Sequence, residues 1–482
     1  MQESTSIVII GAGPGGLCMG AKLLEAGFDD FIIVERADGV GGTWRHNTYP
    51  GAACDVQSHL YSFSFAPKVD WTRAYAPQPE ILEYFEWFAE HFGLMPHVRL
   101  GTTVDGARWD EERARWRVST SGGEIDSAVL VGAVGMFGDL NWPDIPGLDS
   151  FTGTLFHSAR WNHDHDLTGE RVAVIGTAAS AVQFVPVIAP QVGALHVFQR
   201  QAQWVLPKVD PFYTDEEIAR FRSDPAAAAA IRQEIFDRIE SVITFANPDA
   251  IRAAEQIGLE HLNVVEDPEV RRKLTPPSTT RWGCHRPLTS ATYYQAFNLP
   301  HVELITEPIE KITSAGVVTV DGVERQVDTI IAATGFATTK YLSVIDVIGR
   351  GGVSLNEAWS NGAEAYMGIT TAGFPNLFML YGPNTNNGSI LHMLECQVGY
   401  IVRHLQRMRD EGAAVIEVKA DVQTSYNEQL QHDLDRVEVW RRSACHGYYR
   451  STSGRIVTQW PHTMTRYRSM TERPDSEAYI TA

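Results

Sequence analysis

Short, unbroken runs of aliphatic residues that end at glycine or at a single charge mark the first part of the chain. A run without alternation reads as a strand buried on both faces, the habit of parallel sheets, because a half-wet strand would alternate apolar and polar. Ser6–Ile10 is the first such run and Phe31–Val34 the second, with helical spacing over Leu17–Ala26 between them and a stop at Gly27. The same order returns later: a strand over Arg171–Ile175, a helix, and a strand over Ala194–Phe198. Two β-α-β units predict an α/β fold with parallel sheets. The stretch from about 205 to 280 reads differently. Pro207 and Pro211 open it, Pro276 and Pro277 close it, and helical patterns fill Asp215–Arg222 and Ala226–Val242, where the alanine run favours helix. Leu391–Arg409 predicts a further amphipathic helix, and Pro143, Pro146 and Gly147 mark a linker. The expected organisation is a first domain begun by residues 1–145, a second over 146–335 with a helical insertion, and completion of the first by 336–482. Apart from the doubled unit there is no internal repeat.

The turns after the strands carry the first chemistry. Gly11, Gly13 and Gly16 satisfy G-x-G-x-x-G: a tight turn, a close backbone approach to a pyrophosphate, and close packing of helix on strand. Glu35 ends the next strand, 24 residues after Gly11, where a carboxylate can accept hydrogen bonds from a ribose diol. The second turn, Gly176-Thr177-Ala178-Ala-Ser180-Ala181, keeps the layout, but Ala178 puts a methyl where backbone should meet pyrophosphate. The other reading of this loop is a repeat kept for packing. Arg200 stands 24 residues after Gly176, the place that Glu35 holds in the first unit. A guanidinium there can grip a 2′-phosphate bidentately; the alternative is a solvated surface arginine. The contrast points to FAD in the first site and NADPH in the second, on two Rossmann-like dinucleotide-binding domains.

Composition narrows the partners. The chain has 482 residues, 44% hydrophobic and 21% charged, enough to bury a sizeable core. Its formal charge of −19 disfavours nucleic acid, so any anionic cofactor needs local devices. No apolar run is long enough for a membrane helix, and the N-terminal run is too short for a signal peptide. The five cysteines are scattered without C-x-x-C, which fits a reducing cytoplasm and argues against a disulfide framework or a cysteine zinc site. The histidines show no metal-ligand spacing. The nearest approach, His157, His163 and His165, runs into a polar loop expected to face solvent, so no metal is expected.

Four further stretches resemble the class B flavoprotein monooxygenases and, within them, the type I Baeyer–Villiger monooxygenases. They are Gly41-Gly42-Thr43-Trp44 with Tyr49-Pro50-Gly51 and Asp55; Phe151, Gly153, His157 and Trp161 at the spacing of a signature between the two nucleotide loops; Asp328 to Phe336 with its Ala333-Thr334-Gly335 turn; and Gly283-Cys284-His285-Arg286 followed by Tyr293-Tyr294 and Phe297-Asn298. Related flavin-containing monooxygenases usually carry Tyr where Trp161 stands. Gly382-Pro383-Asn384 and Trp460-Pro461 anchor a looser match beyond residue 336. The resemblance implies that Gly42, Thr43, Trp44 and Asp55 help to hold FAD, that Thr177, Ser180, Arg200 and His285 hold NADPH, and that Asn384 touches a cofactor. Three departures fall on the nicotinamide side: Ala178, Asn162 after Trp161, and His285 where the family commonly has lysine.

The reaction so implied is oxidation of a ketone to an ester or lactone with NADPH and O2, through a C4a-peroxyflavin. The chemistry is the flavin's; the protein positions, polarises and excludes water. Arg286 is the candidate catalytic cation, since arginine keeps its charge in a low-dielectric site. Its alternative is a structural ion pair. Asp55 is expected to hold Arg286; its alternative is a turn carboxylate. His157 is read as a hinge residue bound to backbone in preference to a base, with Trp161 packed beside it. Tyr61 is either pocket wall or core. Two rivals remain: a flavin-containing monooxygenase oxidising nitrogen or sulfur, and an FAD-dependent oxidoreductase that does not insert oxygen. The ketone and the oligomeric state are not legible.

Overall fold

The computed structural model describes residues 3–441, 447, 449–473 and 475–482. The first apolar run becomes β1 (Glu3–Ile10), fully buried from Ile7 onward, at the centre of the larger sheet. Parallel neighbours β2 (Phe31–Val34) and β6 (Gly123–Gly132) flank it, β3 (Val98–Arg99) lies beyond β2, and β4 (Val104–Asp110) and β5 (Arg115–Thr120) extend it antiparallel from β6. Asp346–Ile348 then pairs with β4, and Leu377–Met379 pairs in parallel with β6, so the chain returns to this sheet after building another. Helix α1 (Pro14–Glu25) packs between the sheet and the long helix Ile390–Glu411. The helix α3 (Gln78–His91), which follows the short α2 (Thr43–His46), joins the same core with Phe85 and Phe88.

The second sheet is all parallel, in the order Val302–Ile305, β9 (Ala194–Phe198), β8 (Arg171–Ile175), Thr329–Ala332, β7 (Thr154–His157). Helix α4 (Ala179–Ile188) covers it through Val182, Phe184 and Val185. The chain crosses between the sheets at two places that run side by side. Asn141 N–H donates to Gly335 O at 2.9 Å, Ala337 N–H to Asp139 O at 3.0 Å, and Thr334 Oγ1 to Asn141 O at 2.6 Å.

The helical insertion contains α5 (Asp215–Ser223), α6 (Pro225–Val242), α7 (Pro248–His261) and α8 (Pro268–Leu274). Each starts on a side chain that answers free backbone N–H groups: Thr214, Asp224, Asn247 and Asp267. Arg232 of α6 donates from one Nη1 to the carbonyls of His59 and Ser62, both at 3.0 Å, which fastens the insertion to the first half. Among the described residues no helix is long and apolar enough to cross a membrane, and no cluster of metal-ligating side chains forms.

Candidate functional site

The first nucleotide loop is shaped by its own glycines. Gly11 has φ +105, and a Cβ there would meet Ala133 O at 2.7 Å; a Cβ on Gly16 would lie 1.9 Å from Gly11 O. Those two are required by the turn and by helix packing. Gly13 differs. Its backbone is ordinary extended chain (φ −76), and a Cβ would meet only Gly42, at ordinary contact distance from Cα (3.5 Å) and N (4.0 Å). The protein does not itself demand glycine there, so the open backbone is available to a ligand. Gly42, φ +55, closes over it from a separate segment, and Gly41 N–H donates to Ala12 O at 3.0 Å. Thr43 and Trp44 follow in α2, where Trp44 Nε1 donates to the buried Tyr61 hydroxyl at 2.9 Å. The start of α1 has no side-chain cap and no acid in its first turn, so its N–H groups and positive dipole end face the loop unanswered. Glu35 is buried and accepts the Ala12 and Ala37 N–H groups at 2.7 and 2.8 Å, which fixes the carboxylate at the end of β2. Open glycine, bare helix start and fixed acid suit the diphosphate and adenosine ribose of a dinucleotide.

The second loop keeps the frame with less enclosure. Gly176 has φ +112, and a Cβ would meet Ala333 O at 2.4 Å. The start of α4 is also uncapped and free of acids, with Ala178 exposed at the cap and Thr177 buried behind it. Arg200 is exposed and makes no hydrogen bond or ion pair among the described residues. Its position beyond β9 leaves it able to meet a phosphate.

The two halves meet at the Tyr49–Asp55 segment and the Gly283–Arg286 turn. Arg286 Nη2 donates to Asp55 Oδ2 at 2.6 Å; their side chains are 40% and 24% exposed. The guanidinium is therefore anchored to a carboxylate and still partly exposed. Gly283 allows the turn with φ +91, and a Cβ there would strike the Phe245 ring at 2.4 Å. Trp440 Nε1 donates to Gly283 O at 2.9 Å, and Glu255 Oε1 accepts both Arg281 Nε at 2.6 Å and Trp282 N–H at 3.0 Å. The insertion and the C-terminal region thus hold the arginine turn together. On the other side, Tyr49 donates to Gln183 Oε1 of α4 at 2.8 Å, and Gln183 Nε2 donates to Ala53 O at 3.0 Å. Burial pushes the pKa of the Tyr49 hydroxyl up to about 12, partly opposed by nearby Ser180. Gln183 and Glu255 escaped the sequence reading. The only signal for Gln183 is its place one turn beyond Ser180, on the same helix face.

The hinge candidates lie away from the pair. His157 ends β7 and is 1% exposed; its Nδ1 accepts the Ala159 N–H at 3.1 Å. Burial lowers its pKa to about 4, partly opposed by the Gly335 backbone. The ring is neutral at pH 7 with its proton on Nε2, packed by Trp142 and Phe336 of the two crossings. It is placed to brace backbone. Trp161 meets Phe156 edge-on and Phe184 at a tilt, and Tyr49 also meets Phe184 edge-on. The expectation for His165 needs correction: it is half-buried, with Nε2 at 3.0 Å from Glu170 and 2.8 Å from Thr329, because two acceptors draw the ring inward from its polar loop. His163 is exposed and meets Thr48 Oγ1 at 2.7 Å. The Asn384 amide points into the protein, its Nδ2 donating to Ile456 O and Gln459 O at 3.0 Å each. Its Oδ1 is buried and unanswered by any donor of the described residues. His285 is half-buried beside Arg286.

Comparison with known proteins agrees with this architecture. Residues 8–232 match the family model described as pyridine nucleotide-disulphide oxidoreductase. Over 481 residues the chain is 43% identical to a Baeyer–Villiger monooxygenase of Pseudomonas aeruginosa, covering 98% of this chain and 90% of the relative. It is 41% identical to one of Streptomyces coelicolor, covering 99% and 93%. The NADP+-bound crystal structure of cyclohexanone monooxygenase from Rhodococcus sp. Phi1 superposes with a TM-score of 0.90 at 30% identity, covering 100% of this chain and 99% of that one. With its two nucleotide loops, its arginine turn and full-length likeness to these relatives, the chain belongs to the Baeyer–Villiger monooxygenase family.

Proposed function

We propose that this protein oxidises a small ketone to the ester or lactone, consuming one NADPH, one proton and one O2 and releasing NADP+ and water, with FAD as its resident cofactor. The observation that carries the reading is the Arg286–Asp55 pair, formed where the halves bearing the two nucleotide loops meet. FAD, once bound, supplies the redox chemistry that activates oxygen, with NADPH as the electron source. Gly11, Gly13, Gly16, Glu35, Gly42, Thr43 and Trp44 would hold the flavin nucleotide, with Asn384 Oδ1 as a buried acceptor. Gly176, Thr177, Ser180 and Arg200 would hold NADPH, with His285 adding its ring near the phosphate.

The chain's own work is electrostatic and geometric. Arg286 keeps a full positive charge at any working pH and needs no proton transfer to act. Asp55 fixes the guanidinium, so its positive charge is in place before the ketone arrives. Negative charge that develops on the ketone oxygen then meets a fixed positive charge that needs no reorganisation to act. His157, neutral and bound to backbone, takes no proton in this scheme; with Trp161 it carries the attachment of the NADPH half. Residues 1–145 and 336–482 are assigned to the FAD domain and 146–335 to the NADPH domain. The cytoplasm, which maintains NADPH, is the expected compartment.

The test is purified enzyme with NADPH, 18O2 and a panel of linear, cyclic and aryl ketones beside an amine and a thioether. Ester carrying one 18O supports the reading; labelled N-oxide or sulfoxide alone would replace it with heteroatom oxidation, and NADPH oxidation without labelled product would remove oxygen insertion altogether. Arg286→Ala is expected to retain flavin reduction by NADPH within about twofold while product formation falls by about 100-fold or more. Product at the normal rate would take the catalytic role from Arg286.

A further inference from the structure

Behind the Arg286–Asp55 pair lies a second cationic link between the same two segments. Val205–Leu206 pairs in parallel with Leu288–Thr289, with Val205 opposite Leu288 and Leu206 opposite Thr289. Arg286 stands two residues before this ribbon on one strand, and Lys208 two residues after it on the other. Both side chains reach into the same place on the first half. Arg286 takes the carboxylate of Asp55, while Lys208 Nζ donates to the carbonyl of the preceding residue, Cys54, at 3.2 Å. Lys208 is half-buried and lies over the Tyr75 ring, 4.4 Å from its centroid.

The surrounding backbone closes the arrangement. Cys54 N–H donates to Ala76 O at 3.0 Å and Ser58 N–H to Ala74 O at 2.8 Å, so the Asp55 segment lies along residues 74–76. The chain just beyond Lys208 lies along the other side: Ala74 N–H donates to Pro211 O at 3.0 Å, Tyr213 N–H to Thr72 O at 3.0 Å, and Asp210 accepts Tyr75 N–H at 3.0 Å and pairs with Arg73. From Arg286 the path therefore runs through the ribbon to Lys208, across to Cys54, and back through Asp55 to Arg286. A guanidinium aimed by one carboxylate is only as well placed as that carboxylate's backbone, and errors of about 1 Å in such a site cost on the order of 100-fold in rate.

We infer that Lys208 is a positioning residue for oxygen insertion: by fastening the Cys54 carbonyl to the Leu288 ribbon, it sets the register in which Asp55 presents Arg286. This rests on the proposed oxygenation and adds to it a residue that acts through Asp55 and Arg286. Its charge and hydrogen bond, more than its bulk, carry the role, since methionine keeps the bulk and loses both.

The experiment compares wild type, Lys208→Met and Lys208→Arg as holoenzymes. Four quantities are read: the rate of flavin reduction by NADPH, the KM for NADPH, the ester formed per NADPH consumed, and hydrogen exchange of residues 54–58. The expected result for K208M is reduction rate and KM within about twofold of wild type, ester per NADPH lower by about tenfold with hydrogen peroxide making up the difference, and faster exchange confined to 54–58. K208R is expected to recover at least about half of the lost coupling. Wild-type coupling and exchange in K208M would overturn the inference. So would a K208M defect spread equally over reduction, KM and flavin content and not rescued by K208R, which marks a merely structural lysine. A wild-type enzyme that makes no ester from any ketone defeats the proposed function instead, and then exchange at 54–58 decides whether Lys208 fastens that segment: unchanged exchange rejects it.

Discussion

The two nucleotide loops share one plan and differ in how finished they are. At the first, Gly13 is open, Gly42 closes over it, and Glu35 is buried with its carboxylate held by two backbone donors. At the second, a methyl occupies the matching position at Ala178, and the side chain proposed to meet the 2′-phosphate is an exposed Arg200. The first is built around a guest that stays; the second offers a grip at its rim to a guest that comes and goes. Pre-ordering Glu35 removes an entropic penalty at binding, which favours residence. An exposed long side chain retains that penalty and releases more readily. Both helix starts differ from those of the insertion, where Thr214, Asp224, Asn247 and Asp267 supply caps. The four helices of the insertion answer their first N–H groups with their own side chains, and the two loops leave those donors open.

The hardest blow to this contrast is Gly13→Val. The backbone at Gly13 tolerates a side chain, so the fold should survive while the approach of the pyrophosphate is blocked; bound flavin, read from visible absorbance after purification, should fall by about tenfold or more. Full flavin content in a folded variant would end the special status of the first loop. Arg200→Ala should raise the KM for NADPH by roughly tenfold and leave that for NADH within about twofold, since one charge-assisted contact is worth about 1.5–3 kcal/mol. Equal changes for both coenzymes would remove Arg200 from the 2′-phosphate.

A milder effect separates the halves through acid. His157 braces the second sheet with a folded pKa of about 4, below the ordinary value of about 6.5. Between those values the unfolded chain takes up a proton that the folded one refuses. Its contribution to stability is therefore present above about pH 6.5 and lost as pH falls toward 4. His157→Asn, which keeps an acceptor for Ala159 N–H but cannot titrate, should flatten the decline of Tm between pH 6.5 and 5 by about 2 °C. An unchanged slope would place the acid sensitivity elsewhere, with His59 and His392 the next buried rings held near 4. The smallest effect belongs to Ala178→Gly, which gives the second loop the first loop's pattern. It should lower the KM for NADPH and NADH alike by about two- to threefold, because the pyrophosphate is common to both. A gain limited to NADPH would mean that the methyl acts on the phosphate end.

Local order was legible where chemistry is local. The runs at Phe31–Val34 and Ala194–Phe198 become strands with those ends, and the alanine-rich stretch becomes α6 from Pro225 to Val242. Apolar runs and proline punctuation act within a few residues, and neighbours suffice to interpret them. The pairing of Asp55 with Arg286 spans 231 residues of chain, and only family likeness suggested it. Gln183, Glu255 and Lys208 stayed hidden, because a glutamine on a helix or a lysine after a proline looks the same whether or not a distant carbonyl awaits it. Asn384 shows the opposite limit. Its motif position drew attention to a polar side chain, yet two carbonyls of the 456–459 segment take both amide hydrogens and leave only the oxygen.

The bare beginning of α1 has a consequence for how the chain survives before it works. In the proposed site the diphosphate of the flavin nucleotide completes the start of α1, so occupancy and folding would be linked, and bound nucleotide would stabilise the amino-terminal half. Newly made polypeptide in a vitamin-starved cell would fray first at Gly13–Gly16, where proteases find an opening. The supply of riboflavin would then set how much of this protein persists, independently of how much is synthesised.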